Sequence, residues 1–120
     1  MPSVKRGVPA HRRHKKVLAQ TKGYWGTNHR LLRRAREALI HALHYAYAHR
    51  RERKGDMRRL WIQRVNAAAR QQGLTYSQFI HGLSLAGVEV NRKMMADMAV
   101  RDAIGFEQLV ATAKNALAPA

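Results

Sequence analysis

The chain has 120 residues, with 23 Lys and Arg against 7 Asp and Glu, seven His and no Cys, so it carries +16 with His neutral. That length holds one small domain, or half a domain with a tail. A charge of that size repels itself unless a polyanion, nucleic acid or an anionic membrane, supplies counter-charge; lack of Cys excludes a disulfide framework, a thiolate nucleophile and any zinc site with sulfur ligands.

The longest apolar runs, such as Ala38-Leu39-Ile40, are too short to span a bilayer. The first twenty residues hold Lys5, Arg6, Arg12, Arg13, Lys15 and Lys16 without an apolar core of signal-peptide length, which disfavours secretion. Residues 1–72 contain 19 Lys and Arg against 3 acids, a net of +16, whereas residues 73–120 contain 4 and 4. Such asymmetry suggests a polyanion-binding arm joined to a conventional folding unit.

Residues 1–26 contain Pro2, Gly7, Pro9, Gly23 and Gly26 and show no apolar periodicity, so this segment is expected to lack order alone. A short helix over His11–Thr21 is expected once phosphates neutralise Arg12, Arg13, Lys15 and Lys16. From Thr27 to about Lys54 there is neither Gly nor Pro, which predicts one long helix. On it Leu31, Ala35, Leu39, Ala42 and Ala46 share a narrow stripe, with Arg30, Arg33, Arg34, His41, His44 and Arg51 opposite. Gly55-Asp56 is expected to bend or break this helix, because Gly costs about 1 kcal/mol relative to Ala in a helix interior.

A second helical stretch, Met57–Gln72, carries Met57, Trp61, Ile62, Val65, Ala68 and Ala69 on one face, and Trp61 is read as a core residue. After Gly73, Thr75 and Gln78 have the spacing of a capping box, with Leu74 and Phe79 placed as a hydrophobic staple. The helix that follows buries Tyr76, Phe79, Ile80 and Leu83 and stops at Gly87. Asn91 caps a helix with Met95, Met98 and Ala99; Asp102 caps a last one with Phe106, Leu109, Val110, Ala113 and Leu117. Val88-Glu89-Val90 is too short for a sheet. The expected fold is all-α: a basic N-terminal arm and extended helix over residues 1–56, then a small helical domain over residues 57–120.

The chemistry is that of binding. His41 and His44, like His11 and His14, have a spacing that suits a metal, but Arg and Lys surround them and no carboxylate orients either ring; no metal or other cofactor is expected. The acids are scattered singly, Ser77, Ser84 and His81 lack an acid to complete a triad, and Gly23-Tyr24-Trp25-Gly26 has no following Lys-Ser/Thr, so no catalysis is expected. Three basic clusters, His11–Lys16, Arg33–Arg36 and Arg50–Lys54, favour polyanion binding. Interleaved Tyr24, Trp25, Tyr45 and Tyr47 suit base stacking or plain packing equally. The pair of helices flanking Gly73 has the outline of a helix-turn-helix, yet its second helix carries no Lys or Arg, unlike a major-groove reader. A charged arm suits threading between RNA helices. A membrane-surface helix and a DNA-compacting protein are the alternatives.

The ordered motifs resemble one family along nearly the whole chain. They are Val4-Lys5-Arg6-Gly7, His14-Lys15-Lys16-Val17-Leu18, Lys22-Gly23-Tyr24-Trp25-Gly26, Arg50-Arg51-Glu52-Arg53-Lys54, Arg58 through Arg70, Tyr76 through Leu83, Val88 through Lys93, and Ala96 through Val100. They are similar to those of the bacterial large-subunit ribosomal protein L twenty family. The resemblance implies a non-catalytic binder of large-subunit rRNA in the cytoplasmic ribosome, acting early in assembly and touching neighbouring ribosomal proteins, with no membrane partner and no homo-oligomer. It also implies contacts to rRNA from the arm: Lys5, Arg6, His11, Arg12, Arg13, His14, Lys15, Lys16, Lys22, Tyr24, Trp25, Arg30, Arg33, Arg34, Arg36, His41, His44, Arg50, Arg51, Arg53 and Lys54. Arg58, Arg59, Arg64, Asn66 and Arg70 follow, then Tyr76, Ser77, Asn91, Arg92 and Lys93 on the neutral domain. The sequence departs from the family pattern at His49, where Asp is usual, and at Gly55-Asp56, where a more basic or amide-rich pair is usual.

Overall fold

A computed structural model describes residues 3–119, and every regular element among them is helical. In chain order these are α1 (Gly7–Gln20), a 3-10 turn (Gly26–His29), α2 (Leu32–Gln71), α3 (Tyr76–Leu85), α4 (Arg92–Arg101) and α5 (Ala103–Leu117). The chain divides into two compact units, Met1–Arg51 and Glu52–Ala120.

In the first unit α1 begins at Gly7, ahead of the His11 start expected from sequence. Pro9 lies in its first turn, where the missing N–H has no intrahelical acceptor to lose and the fixed φ already suits a helix. The Thr21 backbone N–H and hydroxyl both donate to the Leu18 carbonyl, at 3.3 and 3.1 Å, closing the helix on a fully buried side chain. The next helix starts at Leu32, later than the expected Thr27. The Thr27 carbonyl accepts from both Arg30 and Leu31 N–H groups at 3.1 and 3.0 Å, so the intervening chain takes a tighter turn. Of the stripe on α2, Ala35 is buried and Leu39 half-buried, whereas Leu31, Ala42 and Ala46 are exposed.

No break occurs at Gly55: α2 runs through it for 40 residues. Once a helix is nucleated each added residue needs only one more hydrogen bond, so a penalty of about 1 kcal/mol at one Gly is absorbed by long helix on both sides. Asp56 also meets Arg59 at 3.5 Å one turn on, an exposed pair of small worth.

The second unit has a true core. Val65 and Ala69 of α2, Phe79 and Leu83 of α3, Met95 and Ala96 of α4, and Phe106, Val110 and Ala113 of α5 are buried together. Phe79 and Phe106 rings lie 5.3 Å apart, tilted by 38°. The local signals act as expected: Thr75 Oγ1 accepts from Gln78 N–H at 3.3 Å and Gln78 Oε1 accepts from Thr75 N–H at 3.1 Å, while Leu74 packs against the core cluster that contains Phe79. Gly73 has φ +85°, the left-handed conformation that ends α2. Asn91 Oδ1 caps α4 at 2.9 Å and Asp102 Oδ1 caps α5 at 3.0 Å. No helix among the described residues is long and apolar enough to cross a membrane.

Candidate nucleic-acid interface

Every Lys and Arg between Lys5 and Arg51 is exposed. Among the described residues the ion pairs are Arg59–Asp56 and Arg101–Asp97, so no cation of the first unit is held by a carboxylate. Within that unit α1 and the following turn gather Arg12, Lys15, Lys16, Lys22 and His29 around an open groove of about 620 Å³ that no acid lines. His11 and Arg13 are exposed on the same helix and His14 is half-buried. The Tyr24 carbonyl lies 2.8 Å from His29 Nδ1, which closes the turn carrying Trp25. Trp25 is 91% exposed and Tyr24 half-buried.

Along the part of α2 within the first unit the aromatic residues separate onto two faces. The His41, Tyr45 and His49 rings form a ladder at helical spacing, with centroids 6.3 and 5.7 Å apart and planes within 25° and 16°; His44 meets Tyr45 edge-on at 5.9 Å. On the other side the Arg51 guanidinium lies 3.6 Å over the Tyr47 ring and donates to the Tyr47 carbonyl at 3.3 Å. Counting about 100° per residue, Arg33, Arg36, Arg50 and Arg51 lie on the side away from Tyr45, while Arg34 and Glu37 lie towards it. Arg30, just before α2, is exposed. His41, Tyr45 and His49 thus form one ladder, while Tyr47 lies among the arginines of the other side. Sequence reading placed neither His29 nor His49 among the contact residues, His49 being noted only as a departure from the family pattern; the four-residue interval from His49 to Tyr45, repeated from Tyr45 to His41, was the available signal for a ladder.

In the second unit Arg53, Lys54, Arg58, Arg59, Arg64 and Arg70 are exposed on α2. Arg70 Nε donates to the half-buried Asn66 Oδ1 at 3.1 Å, fixing the two as a pair. The fold also joins residues distant in sequence. Arg92 Nε donates to the Tyr76 hydroxyl at 2.8 Å, leaving the guanidinium's outer N–H groups to act elsewhere. Arg64, Asn91 and Lys93 converge with Trp61 and Asp97 on an open cleft of about 540 Å³. Trp61 packs on the core as expected and also forms a wall of this cleft. Asn91 Oδ1 accepts the cap hydrogen bond from Met94 N–H, and its side-chain amide N–H groups remain to donate to a ligand. Ser77 is exposed in the first turn of α3 and is not among the residues lining that cleft.

Chemically this is a surface of exposed donors and aromatic faces. Among the described residues no group of three or more His, Asp or Glu is placed to hold a metal ion. Comparison with known proteins gives one consistent result. The sequence model of the family described as Ribosomal protein L20 matches residues 3–109. The chain is 56% identical over 118 residues to the "Large ribosomal subunit protein bL20" of Dehalococcoides mccartyi, covering 98% of this chain and 99% of the relative. It is 59% identical over 117 residues to the proteins of that name from Moorella thermoacetica and Thermomicrobium roseum, covering 98% of this chain and 97% and 100% of theirs.

Proposed function

Because the chain belongs to the ribosomal protein L20 family, we propose that its two parts divide the binding of rRNA between them. The protein is a structural, non-catalytic constituent of the large ribosomal subunit, working within the cytoplasmic ribosome among rRNA and other ribosomal proteins, and it supports early subunit assembly. In the proposed division residues 1–56 thread between rRNA segments and neutralise phosphates that would otherwise repel one another. Residues 57–120 dock at one place on the RNA and fix where the arm enters, as a single copy without a membrane partner. The observation that carries this reading is the row of exposed cations from Lys5 to Arg51, none of which has a carboxylate partner. Uncompensated cations on a chain with little core are explained by a polyanion that releases its counterions on binding. On the second part Arg64, Asn91 and Lys93 at the cleft, with Arg92 held by Tyr76, are the contacts that position the domain.

The test is the salt dependence of the full chain's affinity for a large-subunit rRNA fragment. If about ten phosphates are engaged, the logarithm of the association constant falls against the logarithm of salt with a slope of roughly −7 to −9. Crosslinks in cells then fall on large-subunit rRNA along the first seventy or so residues. An affinity indifferent to salt would falsify the phosphate-neutralising arm.

A further inference from the structure

Trp25 is the most exposed large apolar side chain among the described residues, at 91%, and nothing in its surroundings explains an indole there as packing. Gly23 and Gly26 on either side have φ of +85° and +64°, so the backbone turns sharply before and after the pair Tyr24-Trp25. The His29 ring against the Tyr24 carbonyl at 2.8 Å closes that turn, and Trp25 itself is extended, with φ −68° and ψ 139°. The indole is thus held outward on a braced turn. Lys22 and His29, three residues before and four after it, both line the groove that Arg12, Lys15 and Lys16 complete.

We propose that this turn and groove form a site for an unpaired nucleotide of RNA, the base stacked on the Trp25 indole and the flanking phosphates held by Arg12, Lys15, Lys16 and Lys22. The inference rests on the polyanion-binding reading above and goes beyond it by stating what the RNA must offer. A base inside a duplex has both faces covered by its neighbours, so an exposed indole gains only from one that has been unstacked. The groove supplies positive charge without a competing carboxylate, as a phosphate requires. The basic groove alone would bind any strand; the indole confers the preference.

The full chain contains two tryptophans, so Trp61→Phe leaves Trp25 as the sole indole reporter. The variant is titrated with a short oligoadenylate and with a fully paired RNA duplex at equal phosphate. Trp25 emission is expected to be quenched by the single strand and little changed by the duplex. In the otherwise native chain Trp25→Ala weakens the single-strand complex by roughly 5- to 150-fold, the range of one lost base–aromatic stack, while Trp25→Phe retains most of the affinity. Both keep the slope against salt, whereas Lys15→Gln and Lys22→Gln each reduce it by about 0.7. Because Trp25 is so exposed these variants keep the fold, as far-ultraviolet circular dichroism will verify. Unchanged emission at saturation, or equal quenching by duplex, overturns the site even where the affinity remains salt-dependent. Loss of salt dependence for both RNAs instead overturns the underlying reading.

Discussion

At Gly82 the backbone of α3 comes so close to α5 that a Cβ would lie 2.7 Å from the Ala113 carbonyl oxygen and 2.9 Å from its Cβ. Neither partner can yield cheaply, since one is helix backbone and the other is fully buried. Gly82→Ala is therefore expected to destabilise the second unit by about 1–3 kcal/mol, although Ala is the better helix former, read as a lowered urea midpoint of the helical signal. Phe79→Ala, which removes one of two touching rings in a core of this size, is expected to cost about 3–5 kcal/mol and to unfold that unit at ambient temperature. These two residues mark what was legible from sequence. Phe79 announced itself through the periodic stripe and the staple with Leu74, and the caps at Thr75, Asn91 and Asp102 are encoded within four residues. The need for Gly82 is set by Ala113 on another helix, and no local pattern records it.

Helix α2 shows the same limit at the scale of an element. Propensity marked Gly55 as a breaking point, but a local penalty does not reveal how much helix on either side will outweigh it. A Cβ at Gly55 meets nothing within 4 Å. Gly55→Ala should thus stabilise the helix by about 0.8–1 kcal/mol, seen as a higher melting temperature of the helical signal, and a decrease would mean that the native chain needs a kink there. The sorting of side chains around α2 makes a further prediction. Arg36 and Arg50 share the side away from Tyr45, but Glu37 lines one groove together with Arg33 and Arg36. Arg50→Gln should flatten the salt slope for rRNA by about 1, and Arg36→Gln by less, with Glu37 beside it already offsetting part of its field. The basic clusters were plain in the sequence, but Arg33-Arg34-Ala35-Arg36 reads as one patch until helical geometry turns Arg34 away from its neighbours.

Over the whole molecule, charge and burial are distributed in opposite senses. The first 51 residues hold 13 Lys and Arg against the single acid Glu37, and among their described members only Thr21 and Ala35 are buried. Ordering backbone costs about 1–2 kcal/mol per residue, and α1, with no buried residue, has almost no apolar burial to offset it. Like charges on adjacent turns add to that cost, and phosphates remove the repulsion while supplying acceptors. The second unit is neutral over residues 73–120 and has its own core, so its order does not depend on a partner. Amide hydrogen exchange on the full chain separates the two regimes residue by residue. Amides of α3 and α5 should be protected with and without a large-subunit rRNA fragment, whereas those of α1 should exchange freely until the fragment is added and then slow by orders of magnitude. If α1 were equally protected in dilute buffer, its order would come from the chain itself, and the arm would bind as a preformed rod whose affinity includes no cost of folding.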